Sequence, residues 1–223
     1  MTYIGPPGLE YLSQLDTVLV KQKCEVFEIL PGCETNNQYI LKNNSGYEFF
    51  RAVEHTNYCL RHVCGSIRAF DIAFLDHEDQ EILHLSRPFR CNSFCCPAFT
   101  LQTIEVSCPP GNPLGTVSQE WSFCTPLASK FSLFNASGDK VLRVIGPTCT
   151  ISCGDDVIFK IVTADGSAQI GSITKKWQGY CNESLSDADN FSINFPIDLE
   201  IRSKALLLGA MFLIDFMFFE RRF

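Results

Sequence analysis

The chain has 223 residues, a net charge of −7, 46% hydrophobic residues, nineteen phenylalanines and twelve cysteines. That length accommodates one large β domain or two small ones, and buries most of its apolar surface without covalent staples. The acidic balance excludes a broad basic field, so no specific nucleic acid is expected as a partner.

The opening MTYIGPPGLEYL has neither a basic n-region nor a long apolar run, so no secretory signal is expected. The expected compartment is reducing, with the cysteines as thiols. In that setting the N-x-S sequons at Asn43, Asn135, Asn182 and Asn190 are chance matches. Residues 1–13 are marked by proline and glycine and read as a short flexible lead-in to a single domain over residues 14–223.

From there the chain reads as β nearly throughout. Phe70, Ile72 and Phe74 alternate with Ala69, Asp71 and Ala73, and Val157, Phe159 and Ile161 alternate around Lys160. A period of two places each set on one face of a sheet. Turn signals separate the runs: Asn44-Ser45-Gly46, His77 to Gln80, Asn135 to Gly138, and Asp165-Gly166. Asn, Asp and Gly tolerate the positive φ that tight hairpins require. Short strands at regular intervals predict an antiparallel barrel or sandwich. A faint internal repeat runs through them. Gly115 and Gly171 each precede a tryptophan by six residues, Trp121 and Trp177, and a Phe-rich strand follows each. It predicts equivalent hairpins in one closed sheet.

Three segments carry possible chemistry. Cys91, Cys95 and Cys96 cluster beside Phe94 and Phe99. They suit S-acylation near a membrane, or three ligands of a zinc site completed by Cys59, His62 or Cys64, or unmodified thiols. Lys175, Lys176 and Trp177 form a small basic-aromatic patch at a hairpin end. Residues 187–198 space Asp187, Asp189 and Asp198 as the first, third and twelfth positions of a calcium loop, with Phe191 and Ile193 between them to offer backbone carbonyls. Ser192 stands where the turn glycine belongs, and Asp198 replaces the bidentate Glu, so low-affinity calcium is the expected cofactor. The alternation Phe191, Ile193, Phe195 reads instead as a strand bordered by acidic residues. No phosphate-binding glycine loop and no nucleophile–base constellation is visible, so covalent catalysis has no support.

Ala205 to Phe219, ALLLGAMFLIDFMFF, carries one charge, Asp215, and is preceded by Arg202 and Lys204. A spanning helix needs about 20 apolar residues, and shorter runs are more often buried core helices. Hydrophobicity on all sides implies burial on all sides. A β-barrel closed around one central helix provides that, and leaves no sheet edge exposed. A membrane span remains the other reading of this run.

Several segments together resemble the phospholipid scramblase family. They are GPPGLEYLSQLD (Gly5 to Asp16), CETNNQYILKN (Cys33 to Asn43), RPFRC (Arg87 to Cys91) with its following CCP, PPG (Pro109 to Gly111), IGP (Ile145 to Pro147), GSITKKW (Gly171 to Trp177) and DADNFSINFPIDLEIRSKALLLGAMFLIDFMFFE (Asp187 to Glu220). The resemblance implies a tubby-like fold of twelve strands around a central helix, residues 205–219. It implies ATP-independent, calcium-stimulated, bidirectional movement of phospholipid between leaflets, without covalent chemistry. It places the family's calcium segment on Asp187 to Asp198, its palmitoylated cysteines on Cys91, Cys95 and Cys96, and its nuclear-import segment on Gly171 to Tyr180, with Lys175, Lys176 and Trp177. The expected partner is a phospholipid membrane, reached from its cytosolic face at the plasma membrane, with protein partners or self-association and a nuclear pool also implied. The cysteine cluster is thinner than the family's run, since Ala98 and Phe99 follow Pro97, and the Pro-rich N-terminal region of many members is missing. The alternative function is a lipid-anchored tubby-like binding module at the inner leaflet.

Overall fold

The computed structural model describes residues 5–23, 37–56, 68–90, 101–109, 111–121, 129–147, 150, 155–177 and 190–219. The strands are β1 (Thr17–Lys23), β2 (Gln38–Lys42), β3 (Glu48–His55), β4 (Phe70–Leu75), β5 (Glu81–Arg87), β6 (Thr103–Cys108), β7 (Asn112–Gln119), β8 (Lys130–Asn135), β9 (Lys140–Ile145), β10 (Val157–Thr163), β11 (Gln169–Lys175) and β12 (Phe191–Asn194). Each pairs antiparallel with its neighbours in the chain, and β12 pairs with β1, closing the barrel. Helix α1 (Ile201–Ile214) follows and runs on as a π-helical turn, Asp215–Phe219. The twelve residues from Ser203 to Ile214 are all buried. The apolar run is therefore the core of the barrel. Among the described residues no helix is long and apolar enough to cross a membrane.

The two ends of the barrel are built differently. One end carries tight turns that repeat a single device. Asn43, Asp76 and Asn135 each accept hydrogen bonds through Oδ1 from the backbone N–H groups two and four residues on, at 2.8–3.0 Å. Three residues after each lies a positive-φ residue: Gly46 (80°), Asp79 (59°) and Gly138 (84°). These are hairpin loops in which a left-handed residue completes the turn. The strands bulge as they approach this end. Opposite β2, β4, β6, β8 and β10, the second strand of each hairpin carries one extra residue: Phe49, Ile82, Leu114, Val141 and Ile170. Bulges bend a strand and increase its twist, and all five extra residues pack against the core.

Residues of the expected lead-in close this turn end. Leu9 and Leu12 have no solvent exposure, and Glu10–Gln14 forms a 3-10 turn. The Tyr11 ring lies 5.1 Å from that of Phe49. The other end, here the loop end, receives the end of α1 and all six longer connections: β1–β2, β3–β4, β5–β6, β7–β8, β9–β10 and β11–β12.

The expected repeat has a structural basis. Gly115 lies beside the bulge residue Leu114, and Gly171 beside Ile170. A Cβ on either glycine would lie 2.0–2.1 Å from a carbonyl oxygen of the next strand, Phe134 or Asn194. No other residue fits so close a backbone approach. Trp121 and Trp177 follow at equivalent places past the ends of β7 and β11.

The helix is held by close aliphatic and aromatic packing on every side. The Phe212 ring meets Tyr39 and Phe74 edge-on at 4.9 and 5.6 Å, while Gly209 lets the helix approach β6 so closely that an added Cβ would lie 2.8 Å from Val106. Phe212→Ala is expected to cost about 3–5 kcal/mol in denaturant unfolding. Phe212→Asp buries an unpaired carboxylate and should give no folded protein by circular dichroism.

Candidate functional site: the loop end of the barrel

Helix α1 is apolar around its waist, but each end carries a buried charge. Lys204, in the first turn, is fully buried, and its Nζ donates to the carbonyls of Leu12 (3.0 Å), Leu15 (2.7 Å) and Ile197 (2.8 Å). It also lies 5.0 Å from the centre of the Phe195 ring. Burial pulls its pKa down, against the opposing fields of Asp16 and Asp198. An ammonium with three donors satisfied by three main-chain oxygens ties the 3-10 turn, the β12–α1 link and the helix together.

At the loop end Asp215 is buried within hydrogen-bond distance of Tyr39 Oη (3.5 Å), and Lys175 Nζ lies 3.9 Å away. Burial pushes the Asp215 pKa above the usual carboxylate range, with Lys175 and Tyr39 opposing. A carboxylate at a helix C-terminus also meets the negative end of the helix dipole. Lys175 sits over the rings of Phe191 (4.5 Å) and Phe219 (5.5 Å). Beside this group the Arg87 guanidinium, the Phe70 ring, the Phe216 ring and the Arg68 guanidinium stack in that order, at 5.4, 4.0 and 4.9 Å. Arg68 closes a buried ion pair with Glu54 at 2.8 Å, and Arg87 donates to Gln102 Oε1 at 2.7 Å. The π-helical turn is thus clamped to the barrel wall by charged and aromatic layers.

The sequence-derived candidates fall as follows. Lys175 belongs to the Asp215 group, Lys176 pairs with Asp156 at 3.5 Å, and the Trp177 N–H donates to Asp156 Oδ1 at 2.8 Å. Phe191 and Ile193 are strand residues with side chains buried in the core, paired with β1 on one side and β11 on the other. Asp198 is exposed at the turn end. The extended residues of β12 span about 13 Å and separate Asp198 from Asn190, where the chain enters at the loop end. Asp187 and Asp189 lie outside the described residues, as do Cys91, Cys95, Cys96, Cys59, His62 and Cys64. Among the described residues no group of three or more His, Cys, Asp or Glu side chains is placed to hold a metal ion. Sequence reasoning missed Lys204 as a core residue, and the Glu54–Arg68 and Arg87–Gln102 pairs altogether.

A family model described as Scramblase matches residues 2–221. The chain belongs to the scramblase family. It is 48% identical to mouse phospholipid scramblase 1 over 216 residues, 97% of this chain and 65% of that protein. Human phospholipid scramblase 2 is 45% identical, covering 97% of this chain and 71% of its own length. Human phospholipid scramblase family member 5 is 41% identical, with 96% and 78% covered. The chain spans just under two thirds of the length of the mouse, rat and human phospholipid scramblase 1 sequences.

Asp215 and Glu120 predict opposite pH effects. Asp215 holds its proton to higher pH in the folded than in the unfolded chain. Its share of stability is therefore greatest in acid, declines as pH rises from 3.8 through the raised folded value, and is lost above it. Asp215→Asn should raise the melting temperature at pH 7 and lose that advantage below pH 4. Glu120 behaves in reverse. Two hydrogen bonds from Arg143, at 2.8 and 2.7 Å, outweigh burial and hold its pKa at about 2. Its stabilisation is full above 4.5 and vanishes as pH falls toward about 2. Glu120→Gln should lower the melting temperature at pH 7 and flatten the acid limb of the stability curve.

Proposed function

We propose that this chain moves phospholipids between membrane leaflets without ATP, stimulated by calcium, and performs no covalent chemistry. What carries the reading is family membership over essentially the whole barrel and helix, together with relatives named phospholipid scramblases. The test is reconstitution of the purified chain in liposomes with fluorescent phospholipid. Quenching from outside should reach beyond the outer-leaflet pool, faster with calcium and unaffected by ATP. Quenching that stops at the outer leaflet overturns the reading.

For calcium, the ligands we favour are Asp187 and Asp189, which precede β12 in the chain. The strand between them and Asp198 argues that Asp198 serves another purpose, through its field on Lys204. With few carboxylates and no bidentate Glu, an affinity of roughly 10⁻⁴–10⁻³ M is expected. Such a site is empty at resting cytosolic calcium and fills during large influx. In calorimetry, Asp187→Ala should abolish calcium binding and Asp198→Ala should retain it. The reverse outcome would restore Asp198 as a ligand.

Burial of α1 supports a second reading, a lipid-anchored binding module at the inner leaflet, because a helix held by the barrel is not free to span a bilayer. In both readings Cys91, Cys95 and Cys96 carry acyl chains. Several chains anchor stably where one does not. Replacing all three by Ala should move the protein from membrane to soluble and nuclear fractions on cell fractionation.

A further inference from the structure

We propose that the π turn Asp215–Phe219 is a latch over the loop-end mouth of the barrel, opening as a unit while the rest of α1 stays enclosed, with the charge on Asp215 setting how often it opens. The latch does not rest on the scrambling reading.

Three observations carry it. First, the two ends of the helix are held unequally. At the turn end Lys204 Nζ donates to three main-chain oxygens at 2.7–3.0 Å, so that end moves only if the 3-10 turn and the β12–α1 link move with it. At the loop end Asp215 has Tyr39 Oη at 3.5 Å and Lys175 Nζ at 3.9 Å. That hydrogen bond is longer than the usual O–H···O range. Local opening begins where a structure is held least.

Second, burial falls away along the turn. Ser203 to Ile214 are buried, Asp215 and Phe216 are 7% and 1% exposed, and Met217, Phe218 and Phe219 are half-buried. The rings of the turn meet separate strands of the wall. Phe216 stacks on Phe70 of β4 at 4.0 Å. Phe218 lies 6.3 Å from Phe131 of β8 and 6.4 Å from Phe159 of β10, and Phe219 lies 5.9 Å from Phe191 of β12. One five-residue segment thus reaches across the mouth, and its displacement uncovers all four wall rings together.

Third, one carboxyl group is enclosed when the turn is closed and meets water when it is open. Enclosure favours the neutral form of such a group. Among the described residues, the other ionisable or charged groups packed about the turn are Tyr39 on β2, Glu54 on β3, Arg68 ahead of β4, Arg87 on β5 and Lys175 on β11. Lys175 and Tyr39 favour the carboxylate, Glu54 opposes it, and burial prevails. The neutral form therefore holds the latch closed and the carboxylate loosens it. Opening grows as pH rises from 3.8 through the raised folded value, and is constant above it.

The test is hydrogen exchange on the full chain from about pH 4 to about pH 8, with rates corrected for those of unprotected peptides. Peptides covering 215–219 are compared with peptides covering 203–214. Residues 215–219 should exchange through openings about tenfold or more as frequent as those exposing 203–214. Their opening should grow by up to about tenfold per pH unit above 3.8. Asp215→Asn should abolish that growth and leave 203–214 no less protected. Phe218→Ser weakens the grip of the turn without touching Asp215. It should raise opening of 215–219 about tenfold at every pH, with the pH dependence and the protection of 203–214 unchanged.

Three outcomes overturn the proposal. Exchange of 215–219 no faster than that of 203–214 shows that the turn opens only with the whole barrel. Growth with pH that persists in Asp215→Asn gives control to another group. Loosening of 203–214 by Phe218→Ser to the same degree as 215–219 shows that the turn is not an independent unit.

Discussion

A helix with no polar face is stable only where apolar groups enclose it on every side, and this structure is organised around that demand. Twelve strands, paired without an edge, form a sleeve around Ser203 to Ile214. The strand count, the bulges and the glycine at position 209 all follow from fitting a cylinder about 10 Å across. Leu85, Val106 and Ile104 approach the helix axis where Gly209 has no side chain. Where the helix is widest, at Phe212, the wall answers with Tyr39 and Phe74 rather than with smaller residues.

The ends of such a sleeve are harder to close than its middle. At the turn end Lys204 is satisfied by carbonyls of the 3-10 turn, of Leu15 and of the β12–α1 link. At the loop end Asp215 is satisfied less completely, by one long hydrogen bond and one distant ammonium. Burial outweighs the partners of both, drawing the pKa of Lys204 down and pushing that of Asp215 up. The helix is pinned by Lys204 at one end and passes into a π turn at the other. Such turns recur at functional positions in proteins.

Much of the architecture was legible in the chain. The period-two runs of β4 and β10 and the turn residues at positions 44–46, 135–138 and 165–166 marked hairpins, because side-chain alternation and positive φ are local properties. The central helix followed from composition and length, although it begins at Ile201, before the apolar run itself. Lys204 could not be read, since its partners lie 192, 189 and 7 residues away. In sequence it is merely a flanking base. The same holds for Glu54 with Arg68, where two ordinary surface residue types become a buried pair only after β3 and β4 are aligned. The candidate calcium segment was ambiguous because acidic spacing and strand alternation coexist in it. The structure assigns residues 191–194 to a strand, and this divides the acidic residues on either side.

The position of the helix in the chain has a consequence for biosynthesis. It follows all twelve strands, so a nascent barrel leaving the ribosome has every wall and no core. At roughly 5–20 residues per second, the first strands wait many seconds before Ser203 to Phe216 arrive to be enclosed, and β12 only about one or two. During that interval the inward rows of valine, isoleucine and phenylalanine face solvent or whatever holds them. Completion of the core therefore waits for the helix, and a ribosome stalled anywhere before Ile201 would present strands with nothing to enclose.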